Sequence, residues 1–234
     1  LSGYDLVIAP MLYMVRDGFA ARVEQHLEQG RHFVASYWSG IVNESDLCYP
    51  GGFPGPLRPL LGIWSEEIDS LTDEEFNGVR GVRGNELGLS GPYQARELCE
   101  HIHLEGATAL ASYESDFYAG TPAVTVNRVG QGKAWYIASR NDLSFQRDFY
   151  GALIKQLALP RALAIDLPPG VVVQRRTDGE QAFLFVQNFT GQVQQLSLPA
   201  GLSDLIDGSV VGESLVLAPW GCRVLSVPLT EGTR

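Results

Sequence analysis

The segment that most constrains the fold is a loop at residues 49–56, Tyr-Pro-Gly-Gly-Phe-Pro-Gly-Pro. Proline removes a backbone donor and glycine costs backbone entropy, so this segment cannot form a helix or a central strand. A flexible linker would be rich in serine and poor in aromatic residues. This loop instead has large side chains in and around it: Tyr49, Phe53, Leu57, Leu60, Leu61 and Trp64. We therefore predict that the loop holds one shape and packs against the rest of the chain.

The residues before the loop predict a strand, a helix and a second strand. Residues 4–10 form a continuous apolar run that ends at Pro10, as expected for a buried parallel strand. Residues 16–29 have apolar side chains at helical spacing, and residues 31–37 form a second apolar run. This βαβ unit predicts a parallel sheet in a three-layer, doubly wound α/β domain. Such a sheet normally has a further strand and helix first, so we expect the domain to be truncated at its N-terminus.

The rest of the chain predicts more strands, one more helix and a second domain. Residues 77–93 are rich in glycine and predict an excursion or hairpin, and Asn141 or Asp142 is expected to cap a helix over 143–157. The proline-rich stretch 159–170 predicts a boundary between an α/β domain at 1–159 and a small antiparallel β sandwich at 160–234. The predicted strands are 63–68, 98–104, 108–113, 123–128 and 132–138, then 171–176, 182–188, 193–198, 202–206, 213–217 and 222–227.

Composition excludes several classes of function. The chain has 234 residues, 45% of them hydrophobic, and a net charge of −10. It has no basic patch, so neither nucleic acid nor an anionic membrane is an expected partner. No apolar run approaches the roughly 20 residues of a membrane helix. Cys48, Cys99 and Cys222 are widely spaced and suggest neither a disulfide framework nor a CxxC metal site, so a reducing cytoplasm is the simplest location.

The sequence does not support a catalytic or cofactor site. The glycine patterns of nucleotide-binding loops are absent, and Gly130-Gln131-Gly132-Lys133 joins two predicted strands as a turn. A nucleophile elbow is also absent, because Cys48 precedes a Tyr-Pro-Gly-Gly segment that cannot begin a helix. Adjacent acids such as Glu66-Glu67 point to opposite faces of a strand and cannot supply the facing pair of a glycosidase. We therefore predict no catalytic residue and no cofactor.

Three alternating residues could form a metal site or one side of a half-buried strand. Cys99, His101 and His103 alternate, so all three would share one face of a strand. Thiolate and imidazole are suitable transition-metal ligands, and Glu105 is near in sequence. The alternative, which the pattern favours, is a half-buried strand with polar residues on one side.

The aromatic residues around the loop favour a subunit interface. Tyr37, Trp38, Tyr49, Phe53 and Trp64 lie within or close to it in sequence. Core packing is the default for aromatic residues, but obligate interfaces use the same side chains. The candidate interface residues are Tyr49, Phe53, Pro54, Leu57, Arg58 and Trp64.

Three segments around the loop resemble a known family. The runs GIVNESD, GGFPGPLRPLLGI and EEID, between Gly40 and Asp69, closely resemble the trimerisation domain of family 42 β-galactosidases. The segment YDLVIAPMLYMVRDGFAARVEQHLEQG is similar to that family too, and residues after 159 resemble its small C-terminal β domain. The resemblance implies a homotrimer and a sheet like that of class I amidotransferases or flavodoxins, without the amidotransferase triad.

The same resemblance implies an enzymatic parent. Family members are retaining β-galactosidases whose two catalytic glutamates lie in a TIM barrel, and this chain has no such series of strands and helices. We therefore expect this portion to be inactive alone, with the β-galactoside bound by the absent barrel. The other hypothesis is a free-standing carbohydrate-binding or protein-interaction module. It would use Trp220 as an exposed stacking ring, since Phe183, Phe185 and Phe189 share one face and are more simply explained as core.

Overall fold

The computed structural model describes residues 1–199 and 201–228. The chain divides into two compact units, Leu1–Leu159 and Pro160–Arg234. The first unit contains the helices α1 (Phe19–Glu28), α2 (Arg58–Leu61) and α3 (Leu143–Gln156). Its strands are β1 (Leu6–Ala9), β2 (His32–Ser36), β3 (Ile63–Ser70), β4 (Asn77–Gly81), β5 (Tyr93–Leu104), β6 (Thr108–Tyr113), β7 (Pro122–Val129), β8 (Gly132–Ile137) and β9 (Ser139–Asn141).

The first unit is built on one mixed sheet of nine strands. The order is β1-β2-β8-β7-β6-β4-β5-β3, and β9 pairs with β5. Only the pairs β1·β2 and β2·β8 are parallel, and the other pairs are antiparallel. The prediction of a doubly wound parallel sheet is therefore wrong for most of the sheet. Short turns such as 130–131 connect antiparallel neighbours, whereas each parallel pair needs a crossover of a dozen or more residues.

Helices cover both faces of this sheet, which gives the three predicted layers. On one face, Phe145, Phe149 and Leu153 of α3 pack in a core with Trp135 and Ile137 of β8. On the other face, α1 and α2 pack in a core that contains Ala134 and Tyr136 of the same strand. Successive side chains of β8 thus enter opposite cores, as the two-residue period of a strand requires.

The first predicted strand differs from the structure. Residues 4–10 are expected to form a buried strand, but β1 is the edge of the sheet, and Ile8 is 44% exposed. Residues 77–93 are expected to form an excursion or hairpin, and the structure has a hairpin. β4 pairs antiparallel with the next strand, β5, across the loop that joins them, with Asn77 opposite Ala95 and Val79 opposite Tyr93.

Asp142 forms the predicted N-cap of α3. Its Oδ1 accepts hydrogen bonds from the Phe145 N–H at 2.9 Å and from the Ser144 hydroxyl at 2.7 Å, and its Oδ2 accepts one from the Gln94 N–H at 3.0 Å. We expect Asp142→Ala to lower the free energy of unfolding by about 1–2 kcal/mol, because these groups lose their acceptor. Asp142→Asn keeps an acceptor oxygen, so its free energy of unfolding, measured with urea, should fall by less than half as much. Equal losses in the two variants would show that the negative charge of Asp142, rather than its capping hydrogen bonds, stabilises the fold.

The described strands of the second unit are β10 (Val171–Thr177), β11 (Gln181–Asn188), β12 (Gln194–Ser197), β13 (Leu202–Asp204), β14 (Val210–Val211), β15 (Ser214–Leu217) and β16 (Cys222–Pro228). Six of them match the six predicted strands, and β14 is additional. All of their pairs are antiparallel: a five-stranded sheet has the order β10-β11-β16-β13-β14, and β12 pairs with β15. Leu184 and Leu225 of the larger sheet share a core with Leu196 and Leu215 of the smaller pair.

The expected core position of three phenylalanines is wrong. Along β11 the buried residues are Ala182, Leu184, Val186 and Asn188, whereas Phe183 and Phe185 alternate with them and are only half-buried. Phe189 follows the strand and is exposed. Both faces of β11 carry apolar side chains, so the two-residue period separates the faces without showing which one is inside.

The helices of the described residues have no candidate membrane span, since each is too short or too polar.

Candidate subunit interface

The central loop is held in one shape by close contacts, as predicted. Gly52, at φ 95°, lies so close to Trp64 that an added Cβ would fall 2.3 Å from Nε1 of the indole. An added Cβ on Gly55 would fall 2.7 Å from the Gly40 carbonyl oxygen, and one on Gly40 would fall 2.2 Å from the Pro54 carbonyl oxygen. Such distances leave no room for a side chain, so glycine is required where these backbone segments cross.

Several candidate interface residues pack inside their own chain. Leu57 is fully buried in the core with α1, and Pro54 is buried against Gly40. Tyr49 is half-buried, and its hydroxyl donates to the Val15 carbonyl at 2.6 Å. Leu57 and Pro54 offer almost no surface to a partner, which corrects the prediction for these two. Their burial follows from the packing of the loop and α2 onto the sheet.

Phe53, Arg58 and Trp64 remain partly accessible. The Arg58 guanidinium lies 5.5 Å from the centre of the Trp64 ring, donates to the Gly51 carbonyl at 2.7 Å and forms an ion pair with Glu105. The Phe53 backbone pairs with Ser65 of β3. These contacts fix the outer side of the loop, and an interface role for the three residues stays a prediction.

A cluster of exposed apolar side chains lies at the carboxyl ends of β1 and β2, next to the central loop. We call it the Trp38 patch; it comprises Met11, Tyr13, Met14 and Trp38. The Tyr13 and Trp38 rings meet edge to face, with centres 6.3 Å apart. Met14 and Val42 form a β-bridge, and Val42 also bridges to Cys48. All four side chains are at least 37% exposed, and a concentration of this kind marks an interaction surface.

Buried polar groups hold the Trp38 backbone in an unusual conformation. Trp38 has φ 57°, which is uncommon for a residue other than glycine. Its N–H donates to Oε1 of Glu100 at 2.8 Å, and the Tyr136 hydroxyl donates to Oε2 of the same carboxyl at 2.5 Å. Burial raises the pKa of Glu100 to about 7, although these two hydrogen bonds favour its charged form. A strained residue fixed by a buried carboxyl at a surface patch indicates a functional position.

The alternating Cys99, His101 and His103 do share one face of β5, but they do not converge. Cys99 is fully buried, and burial raises the pKa of its thiol to about 11, so it is a poor metal ligand at neutral pH. Glu105 pairs with Arg58. His101 and His103 instead approach Glu66 of the neighbouring strand β3, at 3.5 Å and 2.6 Å.

Trp220, the proposed stacking residue, is 70% exposed. The backbone N–H of Trp220 donates to the Thr190 carbonyl at 3.0 Å, and the residue has φ 57°. Because the side chain is exposed, its ring is available at the surface of the second unit. A role in carbohydrate binding stays a prediction.

Sequence reasoning missed most of the Trp38 patch. Met11, Tyr13 and Met14 follow the end of β1, and Trp38 follows the end of β2. The carboxyl ends of parallel strands are where α/β sheets place functional residues, so apolar residues just after both strands were a usable signal.

Comparison with known proteins agrees with both units. Residues 1–160 match the β-galactosidase trimerisation domain, and residues 170–226 match the β-galactosidase C-terminal domain. A β-galactosidase of Clostridium perfringens is 47% identical over 225 residues, which is 96% of this chain and 33% of that protein. One of Alicyclobacillus acidocaldarius is 46% identical over 99% of this chain and 34% of its own length.

Solved structures show the same relationship. The crystal structure of a cold-adapted β-galactosidase from Rahnella sp. R3 superposes with a TM-score of 0.90 at 58% identity, covering 97% of this chain and 33% of the other. That of a Bacillus circulans β-galactosidase gives 0.90 at 38% identity. The chain thus spans about a third of the length of the relatives it matches. It belongs to the family 42 β-galactosidases and comprises their trimerisation domain and C-terminal domain.

Proposed function

We propose that this chain is the non-catalytic assembly portion of a β-galactosidase that hydrolyses terminal β-D-galactosides with retention of configuration. Catalysis and substrate binding belong to a barrel outside this chain, and the chain alone is inactive. The working form is a homotrimer in the cytoplasm, with neither nucleic acid nor membrane as a partner. The main support is that both family domains match, in order, over a third of the length of the β-galactosidase relatives.

The Trp38 patch is the surface that we assign to the contact between subunits. The segment that follows Trp38 supports the patch, since the Gly40 N–H donates to the Leu12 carbonyl at 2.8 Å and the Ile41 N–H donates to the Tyr13 carbonyl at 2.9 Å. A patch held by a rigid backbone loses little entropy on binding, which favours a stable interface. Three copies related by a threefold axis, each placing this patch against a different surface of the next copy, form a closed ring.

The mass in solution tests this assignment. Light scattering should give three times the 25.5 kDa of the chain. Trp38→Ala should shift the mass toward the monomer at micromolar concentration, because a central aromatic residue commonly contributes about 2 kcal/mol or more to an interface. Trp220→Ala is the matched control, since Trp220 is also an exposed tryptophan with φ 57°. It should leave the trimer intact.

Two results would contradict the assignment. A monomer for the unmodified chain would show that these two domains do not assemble alone. A trimer that persists in Trp38→Ala but dissociates in Trp64→Ala would move the interface to the outer side of the central loop, where Arg58 and Trp64 stack.

A carbohydrate-binding module is the second candidate, favoured by the exposure of Trp220. An exposed aromatic ring can stack on the apolar face of a sugar. Titration with lactose should then show binding that Trp220→Ala abolishes and Trp38→Ala preserves. Absence of binding at millimolar lactose would exclude this candidate for the isolated chain.

A further inference from the structure

We propose that Glu66, His101 and His103 form a binding site for a divalent transition metal, with zinc as the expected ion. Independently of the trimer, the site would join the edge strand β3 to its neighbour β5. Imidazole nitrogen and carboxylate oxygen are established zinc ligands, whereas calcium and magnesium require oxygen ligands. The two histidines therefore select against the alkaline-earth ions.

A β-bulge brings the three side chains together. The pairing of β3 with β5 shifts between Ser65 and Glu67, so Glu66 is the extra residue. Trp64 is the partner of His103, and Glu67 is the partner of His101. Glu66 therefore lies between the two histidine positions. Bulges commonly redirect a side chain in this way.

The distances suit a single small ion. Oε2 of Glu66 is 2.6 Å from Nε2 of His103 and 3.5 Å from Nδ1 of His101, and the ligand atoms of the three residues all lie within 4.8 Å of one another. Donors on a tetrahedral zinc ion are about 3.4 Å apart, given bond lengths near 2.1 Å. Side-chain shifts of about 1 Å would thus complete three positions and leave a fourth for water.

A simple ion pair explains only part of this arrangement. The bond between Glu66 and His103 needs no third residue, yet a second imidazole presents its nitrogen to the same carboxylate oxygen. The neighbouring rings limit the orientations of both imidazoles: Trp64 stacks on His103 at 5.0 Å, and Tyr118 stacks on His101 at 6.4 Å. Side chains oriented before binding raise metal affinity.

The site is open to an ion from solution. The Glu66 and His103 side chains are 48% and 43% exposed, and His101 is 19% exposed. The other two histidines of the chain, His26 and His32, lie elsewhere, with Nε2 of His26 against the His32 carbonyl. The exposed thiols of Cys48 and Cys222 are the main competing zinc ligands.

The test is calorimetric titration of the untagged, chelator-treated chain with zinc chloride, with Cys48 and Cys222 replaced by serine. We expect one zinc ion per chain. Loss of an outer-shell partner weakens metal binding about 10–100-fold, so Glu66→Gln or His103→Gln, which remove a ligand itself, should weaken it by at least about 100-fold. Glu67→Gln is the control, because it removes the same charge one residue away and should change the affinity by less than about twofold.

A second measurement needs no change at the site. In the NMR spectrum of the same chain, zinc should shift the ring resonances of His101 and His103 and leave those of His26 and His32 in place. Absence of zinc binding, or equal affinities in Glu66→Gln and Glu67→Gln, would overturn the proposal. So would zinc-induced shifts confined to His26 and His32.

Discussion

Gly40→Ala should lower the free energy of unfolding of the first unit by about 3 kcal/mol or more. Two effects add. A residue other than glycine at φ 63° costs about 1–2 kcal/mol, and the new Cβ would lie 2.2 Å from the carbonyl oxygen and 2.5 Å from the carbonyl carbon of Pro54. Backbone atoms cannot move aside as a flexible side chain can, and forced overpacking commonly costs about 1–3 kcal/mol.

Gly51→Ala is the matched control for this effect. Gly51 lies in the central loop with φ 95°, but beyond its two chain neighbours no heavy atom lies within 4 Å of the added Cβ. Only the cost of placing alanine at a positive φ remains, so the free energy of unfolding should fall by about 1–2 kcal/mol. Urea unfolding followed by tryptophan fluorescence measures both, because Trp38, Trp64 and Trp135 lie in the first unit. Equal losses would mean that the loop moves away from Gly40 and is not fixed.

Local signals in the sequence predicted the elements of the fold better than their arrangement. The helical spacing in α3 and its cap at Asp142 depend on residues close in sequence, and both were found. The position of β5 depends on distant residues, because this strand pairs with β3, β4 and β9. A βαβ unit at the start therefore suggested a parallel sheet, although later strands make most of the sheet antiparallel.

In the candidate site, too, features that depend on nearby residues were predicted and features that depend on distant residues were not. The loop was predicted to be packed, because proline and glycine among large apolar residues leave few other possibilities. Leu57 and Leu47 have the same side chain, yet Leu57 is fully buried and Leu47 is 63% exposed. Hydrophobicity alone cannot separate them, since the difference depends on which way the folded backbone directs each residue. For the same reason, the sequence did not indicate Glu66 as the neighbour of His101 and His103, because it lies on another strand, 37 positions from His103.

The carboxyl of Glu100 should make the stability of the first unit depend on pH. Its pKa is raised from 4.5 to about 7, chiefly by burial. The folded state therefore binds more protons than the unfolded state between these values, and stability should fall as pH rises from about 4.5 through about 7. At one pKa unit per 1.36 kcal/mol, the loss approaches about 3 kcal/mol. Glutamine at this position cannot ionise and keeps one acceptor for the Trp38 N–H or the Tyr136 hydroxyl.

Glu100→Gln should therefore match the unmodified chain near pH 5 and exceed its stability by up to about 3 kcal/mol above pH 8. Urea unfolding across this pH range measures the difference, in which the other titrating groups cancel. Tyr136→Phe is the opposite test. It removes a hydrogen bond that favours the charged carboxyl, so it should destabilise the chain more at pH 8 than at pH 5. A difference between Glu100→Gln and the unmodified chain that stays constant with pH would show that Glu100 does not titrate in this range. The carboxyl that holds the Trp38 backbone would then be a fixed structural acceptor.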